Sequence, residues 1–212
     1  MHSLNKSDTM LRIGITGGYG SGKSTAAQFF EKKGYPVLYA DPLAKRLMTE
    51  DKNIRSKLST LLGTNTYNPD GSLNRQYVAN TIFSDHGKKR ALERIVHPAV
   101  LAYIDNYFSK LEQQQKKTFA FIEAALIFES GMEKMLDYVI VVSAPEEQRA
   151  RRIAKRDGVS EEEIRKRMAA QHSEVHLKTK ADFVIENKGD IDYLYERCTF
   201  LEQLFHSLET TK

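Results

Sequence analysis

The sequence predicts an α/β fold with a five-stranded parallel sheet at its core, and three observations carry that reading. Five short apolar or β-branched segments stand out at Leu11–Thr16, 36–39, 118–123, Tyr138–Ser143 and Phe183–Glu186. Helical patterns lie between them, and strands alternating with helices build a parallel sheet through right-handed crossovers. The first strand also runs straight into a glycine-rich turn and a helix. Finally, 212 residues of which 41% are hydrophobic and 28% charged suit one domain with a buried core, or one domain with a large insertion.

The first strand reads L-R-I-G-I-T. Residues Gly17 to Ser24 (G-G-Y-G-S-G-K-S) then fit G-x-x-x-x-G-K-[ST], and the helix opens S-T-A-A-Q-F-F. A strand turning sharply into a helix N-terminus aims several backbone N–H groups and a positive dipole end at one point, which suits an anion. In this pattern Gly18, Gly20, Ser21, Gly22 and Thr25 shape a phosphate cradle. Lys23 reaches the β/γ-phosphates and the Ser24 hydroxyl ligates Mg²⁺. The chain is therefore expected to bind a nucleoside triphosphate.

The second strand ends at Y-A-D-P, which brings Asp41 to the carboxyl edge of the sheet, where ligands bind in such folds. A carboxylate there can accept the proton of a hydroxyl that receives a phosphoryl group. The same Asp before Pro42 also fits an ordinary helix N-cap, and the two readings are compatible. Helical patterns follow at 42–48, 53–62, 74–83, 88–95 and 98–114, broken by a turn-rich piece at 63–71. So much helix after strand two reads as a substrate-gripping insertion. His97, in an H-P step at a helix start, can meet an anionic substrate or serve only the structure.

The third strand ends at Glu123, where an acid can hold a Mg²⁺-bound water or play only a local part. A second helical stretch, 145–180, carries Arg149, Arg151, Arg152 and Arg156, of which Arg152 and Arg156 share a face. One or two of these are expected over the phosphates, where positive charge stabilises the transferring group. The last strand leads to Asn187-Lys-Gly-Asp190, the N-K-x-D pattern that reads guanine in many GTPases. Against that reading, strand three lacks a D-x-x-G switch. The plainer role is a turn, Asn187 to Gly189, that packs against a base.

Net charge is +4, with basic residues concentrated between Arg149 and Arg167. No zinc pattern, RNA-recognition motif or basic–aromatic tract accompanies them, so anionic small molecules are the expected partners rather than nucleic acid. No apolar run reaches membrane-spanning length. One cysteine, Cys198, rules out an internal disulfide framework, and a cytoplasmic location is expected. Residues 1–10 read as a disordered lead, with Met10 an alternative start.

Taken together, these segments resemble the bacterial dephospho-coenzyme A kinases. The resemblance runs from Arg12 to about Cys198. It includes T-G-G-x-G-S-G-K-S at Thr16 to Ser24, Ala40-Asp41, and G-x-L-x-R at Gly71 to Arg75. L-E-x-I-x-H-P follows at Leu92 to Pro98, and E-A-A-L-I-F-E at Glu123 to Glu129, where Ala125 stands in place of the usual Pro. A-P-E-E lies at Ala144 to Glu147, R-x-x-x-Q at Arg167 to Gln171, and A-D-x-V-I-x-N-x-G closes the series at Ala181 to Gly189. The resemblance implies a P-loop kinase whose nucleotide-binding core comprises 11–40, 118–144 and 181–212. A helical coenzyme A domain is expected at 41–117 and a lid at 145–180. It implies phosphorylation of the ribose 3′-hydroxyl of dephospho-coenzyme A by ATP with Mg²⁺. Lys23, Asp41 and Arg152 would be catalytic, with Arg151 competing for the lid position. ATP would be held by the loop with Asn187 and Gly189, the acceptor by Asp41 and His97, and Mg²⁺ by Ser24 with Glu123 through water. A related kinase for a nucleoside, nucleotide or sugar is the alternative, and a GTPase-like switch a more distant one.

Overall fold

A computed structural model describes residues 10–114, 118–157, 164 and 174–209. Most of the expected lead lies outside these residues, as do Arg167 and Gln171 and the middle of the expected lid. Met10, grouped with the lead from sequence, is buried and belongs with the first strand.

The chain divides into two compact units. One contains the residues up to Leu38 and from Phe108 onward, and the other is Tyr39–Tyr107. The sheet comprises β1 (Leu11–Thr16), β2 (Val37–Tyr39), β3 (Phe119–Glu123), β4 (Tyr138–Ser143) and β5 (Phe183–Glu186). It is parallel, in the order β2-β3-β1-β4-β5. Ile13, Ile15, Phe121, Ile122, Ile140, Val141 and Val142 are fully buried, as a sheet covered on both faces requires. Helix α1 (Lys23–Lys32) lays Phe30 flat on Phe121, ring centres 4.1 Å apart. At one end, Phe119, Tyr138 and Phe183 surround Phe205 of the last helix, α9 (Ile191–Glu209).

This order places the site. The chain leaves β1 toward β2 on one side and leaves β3 toward β4 on the other, so the crevice opens beyond the carboxyl ends of β1 and β3. Ile15 pairs in register with Glu123, which brings that carboxylate beside the loop that follows Thr16.

The second unit holds α2 (Ala40–Glu50), α3 (Lys52–Leu62), α4 (Arg75–Ser84) and most of α5 (His86–Gln113). Side chains tie it to backbone ends. Asp51 caps α3 by accepting from the N–H groups of Asn53 and Ile54, both at 2.9 Å. Asn74 caps α4 through the N–H of Tyr77. Arg55 donates to the carbonyls of Thr49 and Gly71, both at 2.7 Å, with its guanidinium over the Tyr67 ring.

Two expectations are corrected here. Asp41 does not cap a helix, because α2 starts one residue earlier at Ala40 and Asp41 is its second residue. His97-Pro98 does not open a helix either. The patterns at 88–95 and 98–114 join as α5, with Pro98 inside it. An interior proline forfeits one hydrogen bond and costs about 3 kcal/mol. Val96, Val100 and Ile104 recur every four residues and are all buried, and together they offset that cost at about 1.5–3 kcal/mol each. Among the described residues no helix is long and apolar enough to cross a membrane.

Candidate active site

The loop between β1 and α1 is shaped by what packs against it. Gly22, the residue before α1, has φ +101°, and a Cβ there would strike the side-chain amide of Asn187. Gly20 has φ +80°, and its Cβ would come within 2.9 Å of the Arg149 carbonyl and of Ile153. Both residues belong to α7 (Glu146–Asp157), the helix after β4 and after the short α6 (Ile127–Ser130), and α7 therefore lies flush on the loop. Only glycine satisfies the backbone and the space at these two positions. The Ser21 N–H closes the turn on the Gly18 carbonyl at 3.0 Å. The Ser21 hydroxyl is buried with no hydrogen-bond partner among the described residues.

At the helix start, Lys23 and Ser24 converge on one carboxylate. Ser24 Oγ donates to Glu123 Oε1 at 3.0 Å, and Lys23 Nζ lies 3.8 Å from the same oxygen. The Lys23 and Glu123 side chains are only 13% and 5% exposed. A charge so buried is costly alone, so each offsets the other. A hydroxyl and a carboxylate together are hard oxygen donors. Mg²⁺ keeps several waters and needs few protein ligands beyond phosphate oxygens, so this pair fits it. Thr16 Oγ1 donates to the Ala125 carbonyl at 3.4 Å, so the turn after β3 is tied to β1 with alanine where the family pattern has proline.

The other end of the loop meets the turn after β5. Asn187 is 4% exposed, and its Nδ2 donates to the Ser21 carbonyl at 2.8 Å. Asp190 accepts from the N–H of Tyr193 at 3.0 Å and so caps α9. The Asn and Asp side chains of the N-K-x-D pattern are thus engaged in holding the fold, the opposite of what a guanine reader needs. Beside them lies a cavity of about 210 Å³ lined by Gly22, Thr25, Arg152, Asn187, Gly189, Asp190, Ile191 and Leu194. A flat ring system fits a space of this size.

Arg152 of α7 is half-buried beside this cavity, whereas Arg151 is exposed. The Arg152 guanidinium donates to the carbonyls of Gly189 (3.1 Å), Asn187 (3.3 Å) and Ser21 (3.5 Å) and to the Asn187 side-chain oxygen (3.3 Å). Gly18, Gly20, Ser21, Gly22, Lys23, Ser24, Thr25, Glu123, Arg152, Asn187 and Gly189 thus gather around one loop. Asp41 and His97 belong to the other unit, at the start of α2 and midway along α5.

Glu174, Leu194 and Tyr19 were not singled out from sequence. Glu174, on α8 (Glu174–Lys180), accepts from Ser143 Oγ at the end of β4 and pairs with Arg149 at 3.7 Å. Leu194 lines the cavity. Arg156 stacks on Tyr19 of the loop. The signal for Tyr19 was available, since a large aromatic inside a glycine-rich loop demands a partner.

Comparison with known proteins agrees with this architecture. A family model described as dephospho-CoA kinase matches residues 11–192. A protein named dephospho-CoA kinase from Salinibacter ruber is 39% identical over 187 residues, 87% of this chain and 92% of that one. A solved structure from Thermus thermophilus superposes with a TM-score of 0.78 at 37% identity, covering 92% of this chain and 98% of that one. The structure of dephospho-CoA kinase from Campylobacter jejuni gives 0.68 at 27% identity, with 91% and 95% covered. A phosphate loop at the carboxyl ends of β1 and β3, together with these matches over most of its length, shows that the chain belongs to the dephospho-CoA kinase family.

Proposed function

We propose that this chain transfers the γ-phosphoryl group of ATP to the ribose 3′-hydroxyl of dephospho-coenzyme A, giving coenzyme A and ADP. The observation that carries the reading is the convergence of Lys23 and Ser24 on Glu123 beside a helix N-terminus. The backbone N–H groups of the loop receive the phosphates, and Lys23 exchanges part of its attraction to Glu123 for the β/γ-phosphate oxygens. Ser24 and Glu123, the latter through water, hold Mg²⁺, which offsets charge on the transferring group. The base lies in the cavity beside Asn187 and Gly189, with Arg152 fixing its edge of the loop. Asp41 stands two residues beyond the end of β2 in the chain, and its side chain is exposed and makes no cap bond. It accepts the proton of the ribose hydroxyl as the new P–O bond forms and the β–γ bridge breaks. His97 and the helical insertion 41–117 grip the acceptor, and 145–180 closes over the phosphates. A cytoplasmic location completes the reading.

The test is ATP consumption with dephospho-coenzyme A present and absent, repeated with GTP. Acceptor-dependent turnover with ATP well above background hydrolysis is expected. Turnover that ignores the acceptor, or Kd values favouring GTP tenfold, would overturn the proposal.

A further inference from the structure

Arg149 lies where α7 meets the phosphate loop. Its carbonyl is the atom that a Cβ on Gly20 would approach to 2.9 Å. Its side chain is only 12% exposed, and Nε is buried with no hydrogen-bond partner among the described residues. The charge is met by Glu174, the first residue of α8, whose Oε2 lies 3.7 Å from the guanidinium. The other carboxylate oxygen accepts from Ser143 Oγ, at the end of β4, and lies 3.8 Å from Lys178 Nζ. Ser143 is fixed in the sheet. It is buried, its carbonyl accepts from the Asn187 N–H at 2.7 Å, and it pairs in register with Glu186 of β5. One oxygen of Glu174 is thus anchored to the sheet and the other to the helix that covers the loop.

We infer that Glu174 is a positioning residue for phosphoryl transfer, which sets how closely α7 sits on Gly20 and so where Arg152 stands. The inference rests on the reading of this loop as an ATP site. A mostly buried guanidinium is costly without a counter-charge, so α7 stays where Arg149 can reach Glu174. The hydroxyl bond to the carboxylate is charge-assisted, which makes the sheet end of the link the firmer one. Arg152 lies three residues beyond Arg149, at a neighbouring position on the same side of the helix. Its bonds to Ser21 and Asn187 are 3.3–3.5 Å long. That is the weak end of the range, and a shift of α7 by about half an ångström would break them. Arg152 therefore does not hold the helix on the loop; the helix holds Arg152. Glu174 belongs to the segment that returns to β5, so its side chain joins the outgoing and returning ends of the excursion between β4 and β5.

The experiment is equilibrium binding of a non-hydrolysable ATP analogue, without acceptor, in a double-mutant cycle between Glu174 and Arg152. It is run well below the melting temperature of every variant, and its outcome is independent of what the enzyme phosphorylates. Glu174→Ala should weaken the analogue about tenfold, the value of one hydrogen bond to a charged group, and Arg152→Ala at least as much. Because Glu174 acts through Arg152, the double variant should bind within about twofold of Arg152→Ala alone. Losses that multiply in the double variant would mark a merely structural effect and overturn the inference. Binding by Glu174→Ala within about twofold of the parent would overturn it too. Should the orphaned cation unfold Glu174→Ala, Glu174→Gln combined with Arg149→Met removes both charges and leaves Ser143 an acceptor. That pair should bind the analogue about tenfold more weakly than the parent, with the same non-additivity toward Arg152→Ala, and parental affinity would overturn the inference. A parent that binds no triphosphate would overturn the ATP reading, and the role of Glu174 with it.

Discussion

The phosphate-loop unit and the helical insertion put their polar side chains to opposite uses. At the loop, the exposed Ser24 and half-buried Lys23 converge on the buried carboxylate of Glu123, which leaves them within reach of an incoming phosphate and cation. In the insertion, Arg55, Tyr67 and Tyr77 donate to main-chain carbonyls, those of Thr49 and Gly71, Met48, and Leu62, at 2.7 Å each. The first arrangement stores reactive groups. The second ties helix ends and the 3₁₀ turn at Thr64–Thr66 into a stable unit. Substitutions should therefore separate: the largest losses of turnover are expected at the loop and at the exposed Asp41, and losses of stability and acceptor binding without loss of ATP binding at the insertion's tying side chains.

The sharpest way to break that contrast is Lys23→Ala. Turnover should fall by on the order of 10³-fold, because the cation on the transferring group is gone. The fold should also weaken by about 1–3 kcal/mol, since the buried Glu123 carboxylate loses its cation. Adding Glu123→Gln should restore melting temperature without restoring activity. If the double variant recovers neither, the Lys23–Glu123 pair is not where the lost stability resides.

Next in size is Asp41→Asn. It should lower kcat by on the order of 10²-fold, the usual contribution of a general base, with the Kd for ATP unchanged. Asp41 makes no cap bond, so thermal stability should hold. A variant that melts early but turns over normally would place Asp41 among the structural residues.

A smaller effect is expected at Arg55→Ala. Two hydrogen bonds and the stack on Tyr67 are lost, about 1–2 kcal/mol. The KM for the acceptor should rise while ATP binding is unchanged. ATP affinity falling in parallel would break the division between the units. The smallest effect is at Cys198. Burial pushes this thiol up to about 12, far above neutral pH. Alkylating reagents should leave folded protein unlabelled and active, and rapid labelling would show that α9 opens.

How much of this was legible depended on how tightly chemistry restricts residue choice. The loop was readable because positive φ at Gly20 and Gly22, a cation at Lys23 and a hydroxyl at Ser24 have almost no substitutes. The strands were readable because β1, β3 and β4 are apolar on both faces. The start of α2 and the continuity of α5 were not. A proline at position 98 is an ordinary stop signal, and only the burial of Val96, Val100 and Ile104 overrides it. Cap assignment at Asp41 failed for a similar reason. Asp-Pro is a local signal, and the helix start is set by Ala40 and Leu43, both buried. The contacts of Arg152 and Arg156 depend on how α7 packs on the loop, and those of Glu174 on how α8 meets β4 and α7, which no local pattern encodes.

The central claim is that this phosphate loop serves the ribose 3′-hydroxyl of dephospho-coenzyme A. It is tested most directly by comparing acceptors at saturating ATP, with the product identified by mass and by phosphorus NMR. The account predicts coenzyme A phosphorylated at the ribose 3′ position, with kcat/KM far above that for adenosine, AMP or simple sugars. A small acceptor that matches dephospho-coenzyme A, or a product phosphorylated elsewhere, would contradict it.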